Sequence, residues 1–436
     1  MNIPKSKVVE KKYLLPFILI TSLFALWGFA NDITNPMVAA FKTVMEISNA
    51  KASLVQFAFY GGYATMAIPA ALFVQKYSYK KGILLGLTLY AIGALMFWPA
   101  AQYQEFHFFL VSLYILTFGL AFLETTSNPF IMSMGSKNTA TRRLNLAQSF
   151  NPMGSLLGMF VASRVILAAL DSDKQRNAAG ELIFSTLPEA TKEAMRTHDL
   201  MVIRNPYVAL GLVVIIMLVV IALVKMPQTG HANEIHPLQS AKRLIKNKIY
   251  REGVIAQVFY VATQIMCWTF IIQYADNLGI DKATAQMYNI VAMGIFLASR
   301  FISTFLMKYV NSRKLLMVFA LGGMTTILGV IFINGMGGLY CLVATSAFMS
   351  LMFPTIYGIA LEDVGEDTTL GAAGLVMAIV GGALMPPLQG AIIDFGIIDL
   401  KVLGSMSAVN ASFILPFICF VVIAIYGYRS CRFAEQ

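Results

Sequence analysis

Length, composition and charge limit the class of protein before any motif is considered. The chain has 436 residues, of which 58% are hydrophobic and only 12% are charged. This composition excludes a soluble globular protein and indicates an integral membrane protein. The formal net charge of +10 does not indicate nucleic-acid binding, because the basic residues are spread over separate loops rather than gathered on one face.

Apolar runs long enough to cross about 30 Å of hydrocarbon as a helix recur along the chain. They predict an all-α membrane protein with about twelve transmembrane helices. The first run follows a basic segment, as in a secretory signal, but it is too long and lacks a small-residue cleavage site, so we expect it to be retained. The predicted spans are residues 14–38, 53–75, 82–101, 108–134, 144–168, 206–225, 252–275, 284–306, 315–334, 338–361, 370–393 and 406–428.

Basic residues alternate between successive loops and predict the orientation. Lysines precede the first span, and basic clusters follow the second, fourth, sixth and eighth spans, whereas the loops AQYQEFH and INGMGG have none. By the positive-inside rule, both termini are cytoplasmic. The mixed-charge segment 170–204 is then outside, and the expected location is a bacterial inner (plasma) membrane. The four lysines before the first span are Lys5, Lys7, Lys11 and Lys12.

Internal similarity predicts two halves. FVQKYSYKKGILL (73–85) and FLMKYVNSRKLLM (305–317) share a pattern of a Lys-Tyr pair followed by basic residues. The predicted architecture is therefore two pseudo-symmetric six-helix halves, 1–225 and 251–436, joined by a polar cytoplasmic linker over 226–250. This layout resembles the major facilitator superfamily, whose binding sites lie near the membrane midplane. We expect the chain to function as a monomer, with membrane lipid around it.

Polar residues inside the spans gather on helix faces. Spacings of three and four residues place them on one face, which in lipid should turn toward a partner or a water-filled cavity. A carboxylate near the bilayer centre costs roughly 2.5–3.5 kcal/mol on insertion scales, so the mid-span acids Asp32 and Glu124 are functional candidates. The surrounding amides are Asn31, Asn35, Asn128, Gln148, Asn151 and, in the seventh span, Gln264.

Three Asn-Pro dipeptides, at 35–36, 128–129 and 151–152, end these polar clusters. Proline has no N–H, so the carbonyl four residues earlier loses its helical donor. The freed carbonyls are those of Asp32, Thr125 and Gln148. Each kink should therefore expose a backbone acceptor beside a polar side chain, which suits a site that binds hydroxyls or a cation.

The two acids are candidates for coupling transport to a cation, with a proton as the first choice and Na⁺ as the alternative. No basic partner for Glu124 is evident in the spans of the first half, which favours a protonated carboxyl group and a role as proton carrier. Asp32 lies among amides and a freed carbonyl, and with Asn35 it offers an oxygen-rich site for Na⁺. Arg300 has two interpretations, a side chain extended toward the cytoplasmic interface or a cation in the cavity.

Other function classes are excluded by what the spans lack. His107, His198, His231 and His236 are all predicted in loops, and no metal or phosphate motif is present, so we expect neither an enzyme nor a cofactor or metal. The four cysteines have no CxxC spacing and indicate neither zinc nor disulfides. A channel would not need two repeated halves, and a multidrug exporter would favour a more apolar cavity.

Several motifs together resemble the fucose permease group, the fucose:proton symporters of the major facilitator superfamily: FALWGFAND, LETTSNPF, RLNLAQSFN, CWTFIIQYA and IVGGALMPPLQG. The resemblance implies import of a monosaccharide, fucose or a related hexose, with a cation by alternating access. Proton coupling is the first choice, and a Na⁺-coupled glucose/galactose-type symporter is the alternative. The resemblance also implies that Glu124 matches the coupling glutamate, and that Gln148, Asn151, Trp27 and Trp268 line the cavity.

Two departures from the family pattern bear on the ion and the sugar. The family's first-helix aspartate falls on Asn35, whereas Asp32 falls on a family asparagine. Phe353 stands where the pattern has a tyrosine before Pro354. The carboxylate has moved by about one helical turn and stays on nearly the same face, so we still expect Asp32 and Glu124 to couple the cation. Sugar hydroxyls should bind to amides that both donate and accept hydrogen bonds, and the two tryptophans should stack on the sugar ring.

Overall fold

The computed structural model describes residues 8–47, 49–52, 54–177, 183–227, 237–280, 282–395 and 407–433. Within these ranges the chain is almost entirely helical, which confirms the predicted all-α class. Twelve described helical segments are long and apolar enough to cross a membrane. We number them α1 Lys11–Thr34, α2 Phe57–Lys76, α3 Tyr79–Tyr103, α4 Phe106–Ser133, α5 Lys137–Ala169, α6 Glu189–Leu223, α7 Lys248–Ala275, α8 Thr284–Leu306, α9 Ser312–Phe332, α10 Met336–Ala360, α11 Gly365–Ile393 and α12 Ala408–Phe433.

The segments match the predicted spans, and the largest difference is at α6. This helix begins at Glu189 and continues for 35 residues, whereas the apolar run predicted a start at 206. Residues 189–199 are mostly polar, and Arg204 and Asn205 separate the short apolar stretch 200–203 from the main apolar run. The helix therefore extends beyond its apolar part, which a search for long apolar runs cannot detect. His198 therefore lies in α6, and His107 lies in the first turn of α4, although both were predicted in loops. His231, His236, Lys5 and Lys7 lie outside the described residues.

A helix is interrupted at two of the three Asn-Pro dipeptides. The helix Leu14–Thr34 ends just before Pro36, and a second helix, Met37–Val44, follows it. In α5 the helix Ala140–Gln148 ends and a new helix begins at Asn151. In α4, by contrast, the helix continues through Pro129. The breaks at Pro36 and Pro152 place Asp32 and Gln148 in the last turn of a helix.

Two glycines bring α5 close to α1. A Cβ atom on Gly154 would overlap the backbone of Ala25, and one on Gly158 would lie 2.7 Å from the Phe29 carbonyl oxygen. Small residues spaced by four allow membrane helices to approach at the backbone. This approach is what brings Ser155 of α5 to the acid of α1, as described below.

By proximity, the chain divides into two compact units. The first unit holds Ile18–Ser127 and Met153–Asn233, and the second holds Met1–Phe17, Asn128–Pro152 and Glu234–Gln436. Within the second unit, the helix Ala140–Gln148 packs on the helix Met352–Ala360, and Asn145 Nδ2 donates to the Thr355 hydroxyl at 3.2 Å. These units are defined by contacts and do not test the division along the sequence. The halves 1–225 and 251–436 and the linker 226–250 therefore remain predictions.

Candidate functional site

In the first unit, Asp32 lies in a cluster of uncharged hydrogen-bond partners. Its side chain is 8% exposed, and its Oδ1 accepts from Asn35 Nδ2 at 3.3 Å. The side chains of Asn31 and Ser155 also hydrogen-bond to the carboxylate. No basic side chain of the described residues pairs with it. The structure therefore brings together the predicted trio of α1 and adds Ser155 from α5.

Glu124 of α4 is the second candidate acid, and it also lies in the first unit. The residue is partly buried in α4, and its Oε2 is fully buried without a hydrogen-bond partner among the described residues. Tyr63 of α2 lies close enough to interact with it electrostatically. An ionised oxygen in this position lacks the hydrogen bonds that would stabilise its charge, whereas a proton neutralises it. The surroundings of Glu124 thus suit a carboxyl group that gains and loses a proton.

In the second unit, two predicted amides contact each other. Gln148 Nε2 donates to Asn128 Oδ1 at 3.0 Å, and both side chains are buried. The Asn128 Nδ2 is buried without a partner among the described residues, so this donor is available for a substrate hydroxyl. Asn151 lies just beyond the break in α5 and is partly buried. These amides offer donors and acceptors of the kind that bind sugar hydroxyls.

The polar residues of α7 form a second group in the same unit. Gln264 hydrogen-bonds to the Tyr260 hydroxyl. Trp268 Nε1 donates to Ser346 Oγ at 3.2 Å, and its partly buried ring contacts Phe296 edge-on at a centroid distance of 5.0 Å. The hydrogen bond and the ring contact fix the orientation of the Trp268 ring.

Trp27 is more enclosed than its predicted role implies. The side chain is only 2% exposed and packs against Phe24 with ring centroids 4.3 Å apart. Its Nε1 has no partner among the described residues. A stacking role for Trp27 requires a movement that uncovers its ring, and it remains a prediction.

Arg300 has a clear location. It is 3% exposed, so the interpretation that it extends to the interface is wrong. Its Nη1 donates to the Gln148 carbonyl oxygen at 3.0 Å, its Nε donates to the Ser350 carbonyl, and its guanidinium lies 4.5 Å from the Phe296 ring centroid. The carbonyl that Pro152 frees therefore receives a hydrogen bond from a side chain distant in sequence.

Sequence reasoning missed Ser155, Tyr63 and Ser346. Ser155 follows Asn151 by four residues and so continues the same polar face, which means the spacing could have identified it. Ser346 is a single hydroxyl in the apolar α10, and Tyr63 is one aromatic residue among many. Only their three-dimensional contacts distinguish these two residues.

A further cluster, Asp171, His198 and Asp199, has ligand atoms close enough to hold a metal ion. The fully buried Asp199 carboxylate, however, accepts from the backbone N–H groups of Asp171 at 2.8 Å and Ser172 at 2.9 Å. It thereby satisfies the first turn of the helix Asp171–Lys174. The Lys174 ammonium beside Asp171 lowers the pKa of that carboxyl group. These contacts account for the cluster as a structural connection to α6.

Comparison with known proteins places this geometry in a family. The model of the Major Facilitator Superfamily matches residues 18–386. The L-fucose-proton symporter of Haemophilus influenzae is 67% identical over 98% of this chain and 99% of that protein. The L-fucose-proton symporter of Escherichia coli is 33% identical, over 98% and 94% respectively. A glucose/galactose transporter of Brucella abortus is 29% identical, over 96% and 94%.

The solved structures agree with the sequence comparisons. The crystal structure of the Escherichia coli fucose:proton symporter superposes with a TM-score of 0.86 and 32% identity, covering 96% of this chain and 99% of that chain. The resemblance to the fucose permease group, drawn from motifs along the chain, is confirmed. The chain is a transporter rather than an enzyme, and it belongs to the Major Facilitator Superfamily.

Proposed function

We propose that this chain imports a monosaccharide of the fucose class together with a proton, by alternating access across a bacterial inner membrane. The observation that carries the proposal is the buried Oε2 of Glu124, which has no hydrogen-bond partner among the described residues, in a chain 67% identical to an L-fucose-proton symporter. Protonation of Glu124 removes the cost of a buried charge, and loss of the proton restores it. Binding of a proton at Glu124 thereby favours one conformation of the transporter over another, which links the proton gradient to transport.

Proton coupling is favoured over sodium by the partners of Asp32. Hard cations bind oxygen ligands, but Asn35 presents its Nδ2 donor to the carboxylate. The glucose/galactose transporter is also a more distant relative, at 29% identity. A sodium site at Asp32 and Asn35 would require a rearrangement of this amide.

Counterflow in proteoliposomes tests the substrate. Vesicles loaded with unlabelled L-fucose should take up radiolabelled L-fucose without any ion gradient, and unlabelled D-galactose or D-glucose should compete less well. Absence of counterflow by fucose and by every related hexose would contradict the proposal.

Gln148→Ala should weaken sugar binding about fivefold, the equivalent of about 1 kcal/mol for one lost hydrogen bond. Isothermal titration with L-fucose measures this change directly. Gln389→Ala is the matched control, because Gln389 is a fully buried amide that donates to Ser412 Oγ at 3.1 Å. Unchanged affinity in Gln148→Ala would remove Gln148 from the site. Asn151→Ala is expected to behave like Gln148→Ala.

The orientation predicted by the basic loops has its own test. Lys246, in the described helix Pro237–Lys246, and Glu105, between α3 and α4, are both exposed. Cysteine at 105 should react with an impermeant maleimide in intact cells, whereas cysteine at 246 should react only after lysis. Labelling of position 246 in intact cells would invert the proposed topology, in which both termini are cytoplasmic.

A further inference from the structure

Two proline-freed carbonyls converge on one arginine. Pro152 deprives the Gln148 carbonyl of its helical donor, and Pro354 does the same to the Ser350 carbonyl. Arg300 of α8 donates to both of these oxygens. We propose that Arg300 is a positioning residue that joins the kinks of α5 and α10, and that the bond to Gln148 must break in each transport cycle. This proposal rests on the transport function proposed above.

The chemistry of the site favours arginine. A guanidinium group presents donors in a planar fork and can reach two acceptors at once, whereas an ammonium group is a point charge on a flexible stem. No carboxylate pairs with Arg300 among the described residues. The buried charge is instead stabilised by the two carbonyl dipoles and by the face of Phe296, 4.5 Å away. Because no carboxylate of the described residues holds the guanidinium, its position depends on both kinks.

The neighbouring contacts show which bond can open. Ser350 Oγ donates to Ser299 Oγ at 3.2 Å, and Ser299 Oγ donates to the Ala347 carbonyl at 2.8 Å, so α8 and α10 are held together at several points beside Arg300. Toward α5, the polar links include the 3.0 Å bond to Gln148 and the Asn145–Thr355 bond. The Arg300–Ser350 bond therefore stays with α8 and α10, and the Arg300–Gln148 bond is the one that separates.

This bond acts on the proposed sugar site through one residue. The Gln148 carbonyl binds Arg300, while the Gln148 side chain donates to Asn128. Alternating access requires segments of the two sequence halves to separate at one stage. Separation of α5 from α10 would free the Gln148 backbone and so change the position of the amide that faces the sugar. Arg300 thereby links the geometry of binding to the conformational change.

Distances between two spin labels test the connection that Arg300 makes between α5 and α10, and they need no sugar or ion gradient. Positions 138 and 366 are exposed and carry the labels. They lie just before the helix Ala140–Gln148 and shortly after the helix Met352–Ala360, which pack on each other. Arg300→Gln should increase the long-distance population at least severalfold. Arg313→Gln is the matched control, because Arg313 is a similarly buried arginine that instead donates to Ser430 and Glu362, and it should leave the distances unchanged. An unchanged distribution in folded Arg300→Gln protein would overturn the proposal.

A proline substitution separates the hydrogen bond from simple packing. Pro152→Ala restores a helical N–H for the Gln148 carbonyl, so the effect of Arg300→Gln should be smaller in that background. An equally large effect in both backgrounds would mean that Arg300 acts by packing alone, which overturns the proposal. If Arg300→Gln does not fold, Arg300→Lys serves in its place. A larger long-distance population than in the unmodified protein is expected, and an unchanged distribution would overturn the proposal that Arg300 connects the two kinks. Shifted distances in a protein that shows no fucose counterflow would support the role of Arg300 and reject only the proposed substrate.

Discussion

Glu124→Gln is expected to abolish sugar accumulation driven by a pH gradient while leaving sugar counterflow largely intact. One pH unit corresponds to 1.36 kcal/mol, so one coupled proton can support about tenfold accumulation. The variant should reach an internal-to-external ratio of about one, because the amide imitates the protonated acid but cannot exchange its proton. Radiolabelled L-fucose in proteoliposomes, with the interior one pH unit more alkaline than the medium, provides the measurement.

The control for Glu124→Gln is Glu105→Gln, which changes an exposed acid and should leave accumulation at the level of the unmodified protein. Counterflow separates loss of coupling from loss of folding, since it needs an intact sugar site but no gradient. Full accumulation by Glu124→Gln would reject Glu124 as the coupling residue. Loss of both accumulation and counterflow would mean that Glu124 holds the site together rather than coupling it.

Asp32→Asn is expected to have the second large effect, again with accumulation lost and counterflow retained. The substituted amide keeps an oxygen that can accept from Asn35 and Ser155, so the junction of α1 and α5 should survive. Once the carboxylate is replaced, the side chain at position 32 cannot gain or lose a proton. The measurement is the accumulation ratio in the same vesicles, taken with a pH gradient and separately with a sodium gradient.

The two gradients distinguish the possible roles of Asp32. A loss confined to the pH-driven ratio assigns Asp32 to proton coupling, whereas loss of a sodium-stimulated ratio would assign the carboxylate to a sodium site with Asn35. Asp173→Asn is a suitable control, because Asp173 is an acid whose side chain is half exposed and pairs with Arg176 at 2.8 Å. Unaltered accumulation in Asp32→Asn would leave Asp32 as a hydrogen-bonded residue at a helix break.

Hydropathy predicted the spans because a helix satisfies its own backbone hydrogen bonds. Any apolar stretch of sufficient length can therefore cross the membrane as a helix. The same reasoning placed the start of α6 too late, since residues 189–205 continue the helix without forming a long apolar run. Proline predicted two helix breaks, at Pro36 and Pro152, but not the continuous helix through Pro129. Whether a proline breaks a membrane helix depends on which neighbours satisfy the freed groups, and one helix alone does not contain that information.

The candidate site was predictable in composition but not in contacts. Spacings of three and four residues identified Asp32 with Asn31 and Asn35, because they depend only on the geometry of one helix. The meeting of Ser155 with Asp32 depends on the close approach of α5 to α1 at Gly154, and the two bonds of Arg300 depend on three separate segments. Contacts of this kind arise from packing between distant parts of the chain, so no local pattern encodes them.

Proton movement on addition of sugar is the most direct test of the coupling. Proteoliposomes in a weakly buffered medium, without any imposed gradient, should make the external pH rise when L-fucose is added, because protons enter with the sugar. Glu124→Gln vesicles should take up fucose by equilibration with no change in external pH. Fucose entry into vesicles of the unmodified protein without a rise in external pH, or only in the presence of sodium, would contradict proton-coupled import.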